Sequence, residues 1–229
     1  MIKLIIYDLD GTLIDSRRDI TQAVNRTLCE LGFRELPVER VSSFVGSGVK
    51  NLMFYSLKEV GAPLVGARQS NGRVQDPPLQ HAIKLFRRRY GEHLLDHTVL
   101  YPSVKKVLKH FKARKQAVVT NKPGDFSVKI LRELGVAPYF FRILGGDAGF
   151  PKKPAPEPVH EILRLASVLP EETIFVGDSA LDVETGRNAG VKTAAVTYGF
   201  GSRKEVEAAQ PDFVLNDLEE LIQCPMLQN

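Results

Sequence analysis

Ile2-Lys3-Leu4-Ile5-Ile6-Tyr7-Asp8-Leu9-Asp10-Gly11-Thr12 carries an almost unbroken apolar, β-branched run straight into two aspartates. Such a run, without polar alternation, reads as a strand buried on both faces of a parallel sheet. Five further stretches share that character: Ala117–Thr120, Arg142–Leu144, Thr173–Val176, Thr193–Thr197 and Phe213–Leu215. Between them the apolar residues fall at helical spacing, as in Val104, Val107, Leu108 and Phe111, in Val128, Leu131 and Leu134, and in Val159, Ile162, Leu163 and Ala166. Strands alternating with helices predict an α/β fold, a doubly wound, Rossmann-like parallel sheet.

One region departs from that rhythm. From Asp15 to His97 no buried strand is evident, whereas Ile20, Val24, Leu28 and Leu31, and then Ile83, Phe86, Tyr90 and Leu94, form helical stripes. Gly61–Pro78 is rich in Gly, Pro, Asn and Gln and reads as a loop. The expected organisation is an α/β core of residues 1–14 and 98–229, with an inserted α-helical domain over 15–97.

Composition sets the outer limits. At 229 residues and 43% apolar content the chain can bury a sizeable core, and disorder is excluded as a description. No apolar run approaches the roughly 18 residues a membrane span needs, and Asp8 arrives too early for a signal peptide to be expected. Cys29 and Cys224 form neither a disulfide framework nor a metal spacing, which fits a reducing cytoplasm. The net charge is +4, from 31 basic and 27 acidic residues, and favours anionic partners. The whole surplus lies in residues 15–97, which hold 13 basic and 9 acidic residues, while the rest of the chain holds 18 of each. Nucleic acid is not the expected partner. The chain has no Trp, and Arg87-Arg88-Arg89 would point around a helix rather than along one face.

The chemistry gathers where strands end. Asp8 and Asp10, two apart, point to the same side of an extended strand. At the C-terminal end of a sheet strand they occupy the place where open α/β sheets bind ligands. Like charges so close call for a cation, and an oxygen-only ligand set suits Mg²⁺, although an Asp-Gly turn in water is the plainer alternative. A second acidic group, Gly177-Asp178-Ser179 with Asp182 one turn on, follows another strand and reads as either metal ligands or a helix cap. Thr120-Asn121-Lys122-Pro123-Gly124 links a strand end to a helix start, a place for an anion or an ordinary turn. Lys152-Lys153-Pro154 precedes another helix.

In that order, Asp-X-Asp-Gly-Thr, Thr-Asn, Lys-Pro and Gly-Asp-Ser with a following Asp resemble the haloacid dehalogenase-like (HAD) superfamily over essentially the whole chain. Asp8-Leu9-Asp10-Gly11-Thr12-Leu13-Ile14-Asp15-Ser16, Val119-Thr120-Asn121-Lys122-Pro123 and Gly145-Gly146-Asp147 are most similar to its phosphoglycolate phosphatase group.

The resemblance implies a phosphomonoester hydrolase with a helical cap inserted after the first motif. Asp8 would be the nucleophile, forming an aspartyl phosphate, and Asp10 the acid and then base. Mg²⁺ would be held by Asp8, the Asp10 carbonyl and Asp178, with Asp182 orienting metal-bound water. Thr120, the Asn121 backbone N–H and Lys153 would bind phosphate, Lys153 being preferred to Lys152 because it directly precedes Pro154.

In the cap, Phe44-Val45-Gly46-Ser47-Gly48-Val49-Lys50 would help select the substrate, so Gly46, Ser47, Gly48 and Lys50 join Arg18 as candidate contacts. A plain helix N-terminus is the alternative reading of that turn. The expected partner is a small phosphorylated acid such as 2-phosphoglycolate, met by a basic lid over an acidic cleft. Pyrophosphate, nucleotides and sugar phosphates stay open, as do monomer and homodimer. A sugar-phosphate mutase is disfavoured because Ile20 stands where those enzymes carry a histidine. A non-catalytic phosphate sensor would be expected to have lost a motif, and none is missing.

Overall fold

The computed structural model describes residues 1–62 and 78–228, so most of the Gly61–Pro78 loop lies outside the described residues. The six apolar runs form one sheet. Its strands are β1 (Leu4–Tyr7), β4 (Lys115–Val119), β5 (Arg142–Leu144), β6 (Thr173–Gly177), β7 (Lys192–Val196) and β8 (Phe213–Leu215), in the order β5-β4-β1-β6-β7-β8. Every neighbouring pair is parallel. A second sheet pairs two short strands, β2 (Ile14–Asp15) and β3 (Val99–Leu100), antiparallel. Two residues per strand are too few for hydrophobic periodicity to reveal.

The helices are α1 (Arg17–Glu30), α2 (Val38–Ser42), α3 (Val49–Glu59), α4 (Pro78–Glu92), α5 (Val104–His110), α6 (Gly124–Glu133), α7 (Glu157–Ala166), α8 (Ala180–Asn188) and α9 (Arg203–Ala208). Contacts divide the chain into two compact units, Met1–Asp15 with Val99–Asn229, and Ser16–Thr98.

In the α/β unit, side chains of β1 alternate across the sheet. Leu4 and Ile6 face Val159, Ile162, Leu163 and Ala166 of α7, together with Ala117, Val119 and Phe175. On the opposite face the Tyr7 hydroxyl donates to Gln116 at 3.2 Å, and the Gln116 amide donates to the Leu108 carbonyl of α5 at 3.1 Å. Tyr7 also meets Phe140 edge-on, with ring centroids 6.2 Å apart. Both faces of β1 are therefore covered, which is why its residues need no polar alternation. In α6 the buried apolar positions are Phe126, Ile130 and Leu131, not the Val128, Leu131, Leu134 series. Starting the helix at Gly124 brings Phe126 and Ile130, four apart, onto the inner face.

The unit Ser16–Thr98 is helical. Ile20, Val24 and Leu28 of α1 are buried, as are Ala82, Phe86 and Tyr90 of α4, whose two rings stack at 5.4 Å. Asp19 closes the unit at its chain ends: its buried Oδ2 accepts from the backbone N–H of His97 (3.0 Å) and from both the N–H and hydroxyl of Thr98 (2.7 Å each). Arg88 and Arg89 both pair with Glu30, so these two arginines of the triplet tie α4 to α1. Among the described residues no helix is long and apolar enough to cross a membrane.

Sheet order places the site. The chain runs from β1 outward through β4 and β5, then returns to β6 and runs the other way, so the direction switches beside β1. Ligands of such sheets bind beyond the strand C-termini at that switch. Tyr7 is in register with Val118 of β4 and Val176 of β6, so Asp8, Thr120 and Asp178 all emerge at the same edge.

Candidate active site

Asp8 follows β1 directly, and its N–H extends the ladder to the Val176 carbonyl at 2.8 Å. Its side chain is 9% exposed. The Lys153 ammonium donates to Asp8 Oδ1 at 2.7 Å and to Asp182 Oδ1 at 2.5 Å. Lys153 is itself buried, and Asn121 holds its backbone from both sides: Asn121 Oδ1 accepts the Lys153 N–H (2.9 Å) and Nδ2 donates to the Lys153 carbonyl (3.2 Å). Lys152 is exposed. Of the lysine pair, the residue before Pro154 is the one that reaches Asp8.

Asp178 and Asp182 use their oxygens differently. Asp182 Oδ2 accepts from the N–H groups of Asp178 (3.2 Å) and Ser179 (3.1 Å) and from the Ser179 hydroxyl (2.6 Å), which fixes the N-terminus of α8. Its Oδ1 accepts from Lys153, so one side chain both caps a helix and pairs with the buried lysine. Asp178 Oδ1 accepts from the Thr12 hydroxyl at 3.3 Å, and Oδ2 accepts from the N–H groups of Phe200 (2.7 Å) and Gly201 (3.3 Å). Gly11, at φ +89°, passes against this carboxylate, where any Cβ would clash with it.

Asp10 meets a lysine the motifs did not single out. Lys122 Nζ donates to both Asp10 oxygens, at 2.8 and 3.2 Å, with its side chain only 4% exposed. The backbone of Lys122 is pinned: its N–H donates to the Thr120 hydroxyl at 3.3 Å, and its carbonyl accepts the Gly146 N–H at 2.9 Å.

Burial and mutual repulsion govern the electrostatics. Burial pushes the Asp8 carboxyl up to about 6, against the pull of Lys153 and with a push from Asp182. Asp178 is pushed up to about 8, first by burial and then by Asp182 and Asp8. Burial opposes the charge on Lys153, but Asp182 and Asp8 outweigh it and hold the ammonium above its ordinary range. When all four carboxyls, Asp8, Asp10, Asp178 and Asp182, are ionised they face two lysines, an excess of two negative charges that one divalent cation would balance. Oxygens of Asp8, Asp178 and Asp182 lie within 4.8 Å of one another, and all three residues are buried. A compact, acidic, oxygen-only cluster of this kind fits a hard divalent cation.

The raised carboxyls have a consequence for stability. The folded chain holds protons on Asp8 and Asp178 at pH values where the unfolded chain has released them. Stability of the metal-free protein therefore falls as pH rises through about 6 and about 8. Surface carboxyls held below their ordinary range, such as Glu161 and Asp212, act in the opposite sense but at lower pH. Melting curves in EDTA from pH 5 to pH 9 are expected to show Tm falling up to about pH 8 and levelling above it. If the cluster binds a divalent cation, adding Mg²⁺ should restore most at the alkaline end, where the carboxylates are ionised. A Tm that climbs steadily to pH 9 in EDTA would contradict this.

The remaining sequence candidates belong to the helical unit. Gly48, at φ +86°, is the N-cap of α3, so the Gly46-Ser47-Gly48 turn opens a helix as read. Gly46, Lys50 and Arg18 are exposed, and Ser47 helps line a groove of about 710 Å³ with Arg40, Phe44 and Tyr55.

The pattern described as haloacid dehalogenase-like hydrolase matches residues 5–196, from β1 to the end of β7. The chain belongs to the haloacid dehalogenase-like hydrolase family. Among relatives of this haloacid dehalogenase-like hydrolase, the phosphoglycolate phosphatase of Aquifex aeolicus is 36% identical over 222 residues, 96% of this chain and 95% of that one. The phosphoglycolate phosphatase of Pseudomonas putida is also 36% identical, over 96% of this chain and 78% of its own length. A crystal structure described as a predicted phosphoglycolate phosphatase from Haemophilus somnus superposes with a TM-score of 0.86 at 28% identity, covering 97% of each chain. This family member is accordingly a phosphatase. Three of its site features escaped the sequence reading: the Lys122–Asp10 pair, the Asn121 side chain that holds Lys153, and the Phe200-Gly201 turn on Asp178. Only the Thr120–Lys122 turn carried any signal, and it pointed to Asn121 through its backbone rather than its side chain.

Proposed function

We propose that the chain hydrolyses the phosphomonoester of a small acidic metabolite, 2-phosphoglycolate first among them, through an aspartyl phosphate on Asp8 and with Mg²⁺. The observation that carries this reading is the buried Asp8 carboxylate held at 2.7 Å by Lys153 and clustered with Asp178 and Asp182. The names of the Aquifex and Pseudomonas relatives support the substrate.

An Asp8 oxygen attacks phosphorus and forms the aspartyl phosphate as the bond from phosphorus to the ester oxygen breaks. Asp10 gives its proton to the departing alcohol. It then takes a proton from the water that attacks phosphorus, which breaks the Asp8–phosphate bond and frees inorganic phosphate. Lys153 bears against the charge growing on the phosphoryl oxygens, while the Thr120 hydroxyl and Asn121 N–H bind those oxygens. Asp8, Asp178 and the Asp10 carbonyl would hold Mg²⁺, with Asp182 as their orienting neighbour, both of whose oxygens are already engaged by the protein. When bound, the cation supplies charge stabilisation to the transferring group. The helical unit acts as the cap, and Gly46, Ser47, Gly48, Lys50 and Arg18 are its proposed substrate contacts.

Assay of the full chain over a panel of phosphomonoesters, with Mg²⁺ and with EDTA, tests this reading. Turnover of 2-phosphoglycolate well above neutral monoesters, lost in EDTA, is expected. Equal rates on every monoester would remove the acidic substrate, and undiminished activity in EDTA would remove the metal.

A further inference from the structure

Asp178 is held unlike the other three acids of the cluster. Asp8 and Asp182 pair with Lys153 and Asp10 pairs with Lys122, but among the described residues no ion pair reaches Asp178. Its partners are neutral: the Thr12 hydroxyl on Oδ1, and the N–H groups of Phe200 and Gly201 on Oδ2. A carboxylate oxygen accepts about two hydrogen bonds. Oδ2 is therefore filled, while Oδ1 keeps one lone-pair direction for a ligand. The residues that bring this about follow β7. The Tyr198 hydroxyl donates to the Thr12 carbonyl at 2.7 Å, and its ring packs on Tyr101 with centroids 4.4 Å apart. The turn after Tyr198 is fitted to the acid. A Cβ on Gly199 would overlap the Asp178 side chain and the Gly11 carbonyl, and one on Gly201 would overlap the Asp178 carbonyl. Neither glycine takes the left-handed backbone that would by itself call for one. Both serve for room, since the space a side chain would fill is what lets the backbone close on Asp178. Residues 198–201 lie past the end of the family match at residue 196.

We propose that residues 198–201 position Asp178 for the divalent cation and so set the affinity of the site for it. The Phe200 and Gly201 N–H groups occupy Oδ2, Tyr198 steadies the Thr12 turn that orients Oδ1, and Gly199 admits the close approach that both need. Neutral donors fix the direction of the carboxylate without cancelling its charge, which stays available to the cation once the group is ionised. This rests on the assignment of Mg²⁺ to the cluster made above.

The test measures Mg²⁺ binding by isothermal titration calorimetry at pH 8, with the full chain freed of metal and no substrate present. The temperature is one at which circular dichroism shows each variant folded. Gly199→Ala should weaken Mg²⁺ binding by about 10- to 100-fold, the range for groups that orient a metal ligand. Tyr198→Phe, which removes only the hydroxyl, should weaken it by less and in the same direction. A loss of packing alone would lower Tm and leave the Mg²⁺ affinity of the folded chain as it was. Unchanged affinity in folded Gly199→Ala overturns the inference. If Gly199→Ala does not fold, Tyr198→Phe decides by the same criterion. Either result against the inference leaves the phosphatase reading intact. A wild type that binds no Mg²⁺ overturns the metal reading and this inference with it.

Discussion

Asp8→Asn is expected to lower kcat by at least about 10⁴-fold, the scale seen when a catalytic nucleophile is removed. Asparagine matches aspartate in shape but cannot form the acyl phosphate at neutral pH. The structural cost should be small or negative. The wild-type carboxylate is buried and pushed up to about 6, so holding it ionised at pH 8 opposes folding. Lys153 keeps Asp182 as a partner at 2.5 Å after the change. Metal-free Tm at pH 8 should therefore stay level or rise while turnover disappears. Steady-state kinetics beside a melting curve separates loss of chemistry from loss of fold, and retained turnover would refute Asp8 as the nucleophile.

Lys153→Met should damage both activity and stability. Methionine fills a similar volume, but Asp8 and Asp182 would face each other without the ammonium between them. Breaking a buried pair in this way costs about 3–5 kcal/mol. For a chain of this length, that corresponds to a fall in Tm of about 6–20 °C in metal-free buffer at pH 8. The fall should be smaller at pH 5, where Asp8 takes a proton and the repulsion is relieved. Under the proposed mechanism kcat should drop by about 10²-fold or more, since the charge that would bear on the phosphoryl group is lost. An unchanged Tm at pH 8 would show that the ammonium does not bind the two carboxylates together.

These two residues also mark how far the sequence could be read. Asp8 was legible because a strand's apolar run meets its first carboxylate there, at the sheet edge where open α/β sheets bind ligands. Asp178 and Asp182 were legible from their spacing of four, which puts both at the start of one helix. Lys153 was legible only through its neighbour Pro154 and the family resemblance, since its 145-residue separation from Asp8 leaves no local trace. Lys122 had no such marker. It lies 112 residues from Asp10, inside a turn whose Thr and Asn carry the anion-binding pattern. The Phe200-Gly201 turn acts through backbone N–H groups, which every residue but proline possesses and which no residue type therefore announces.

By itself, then, the sequence determined the parallel sheet, the helical insertion and the acidic strand ends. Local periodicity and burial on both faces leave direct marks in residue order. Which lysine meets which aspartate, and how Asn121 holds Lys153, was decided only by the tertiary structure. Those contacts follow from the β4-β1-β6 register, which aligns three strand ends far apart in the chain at one edge.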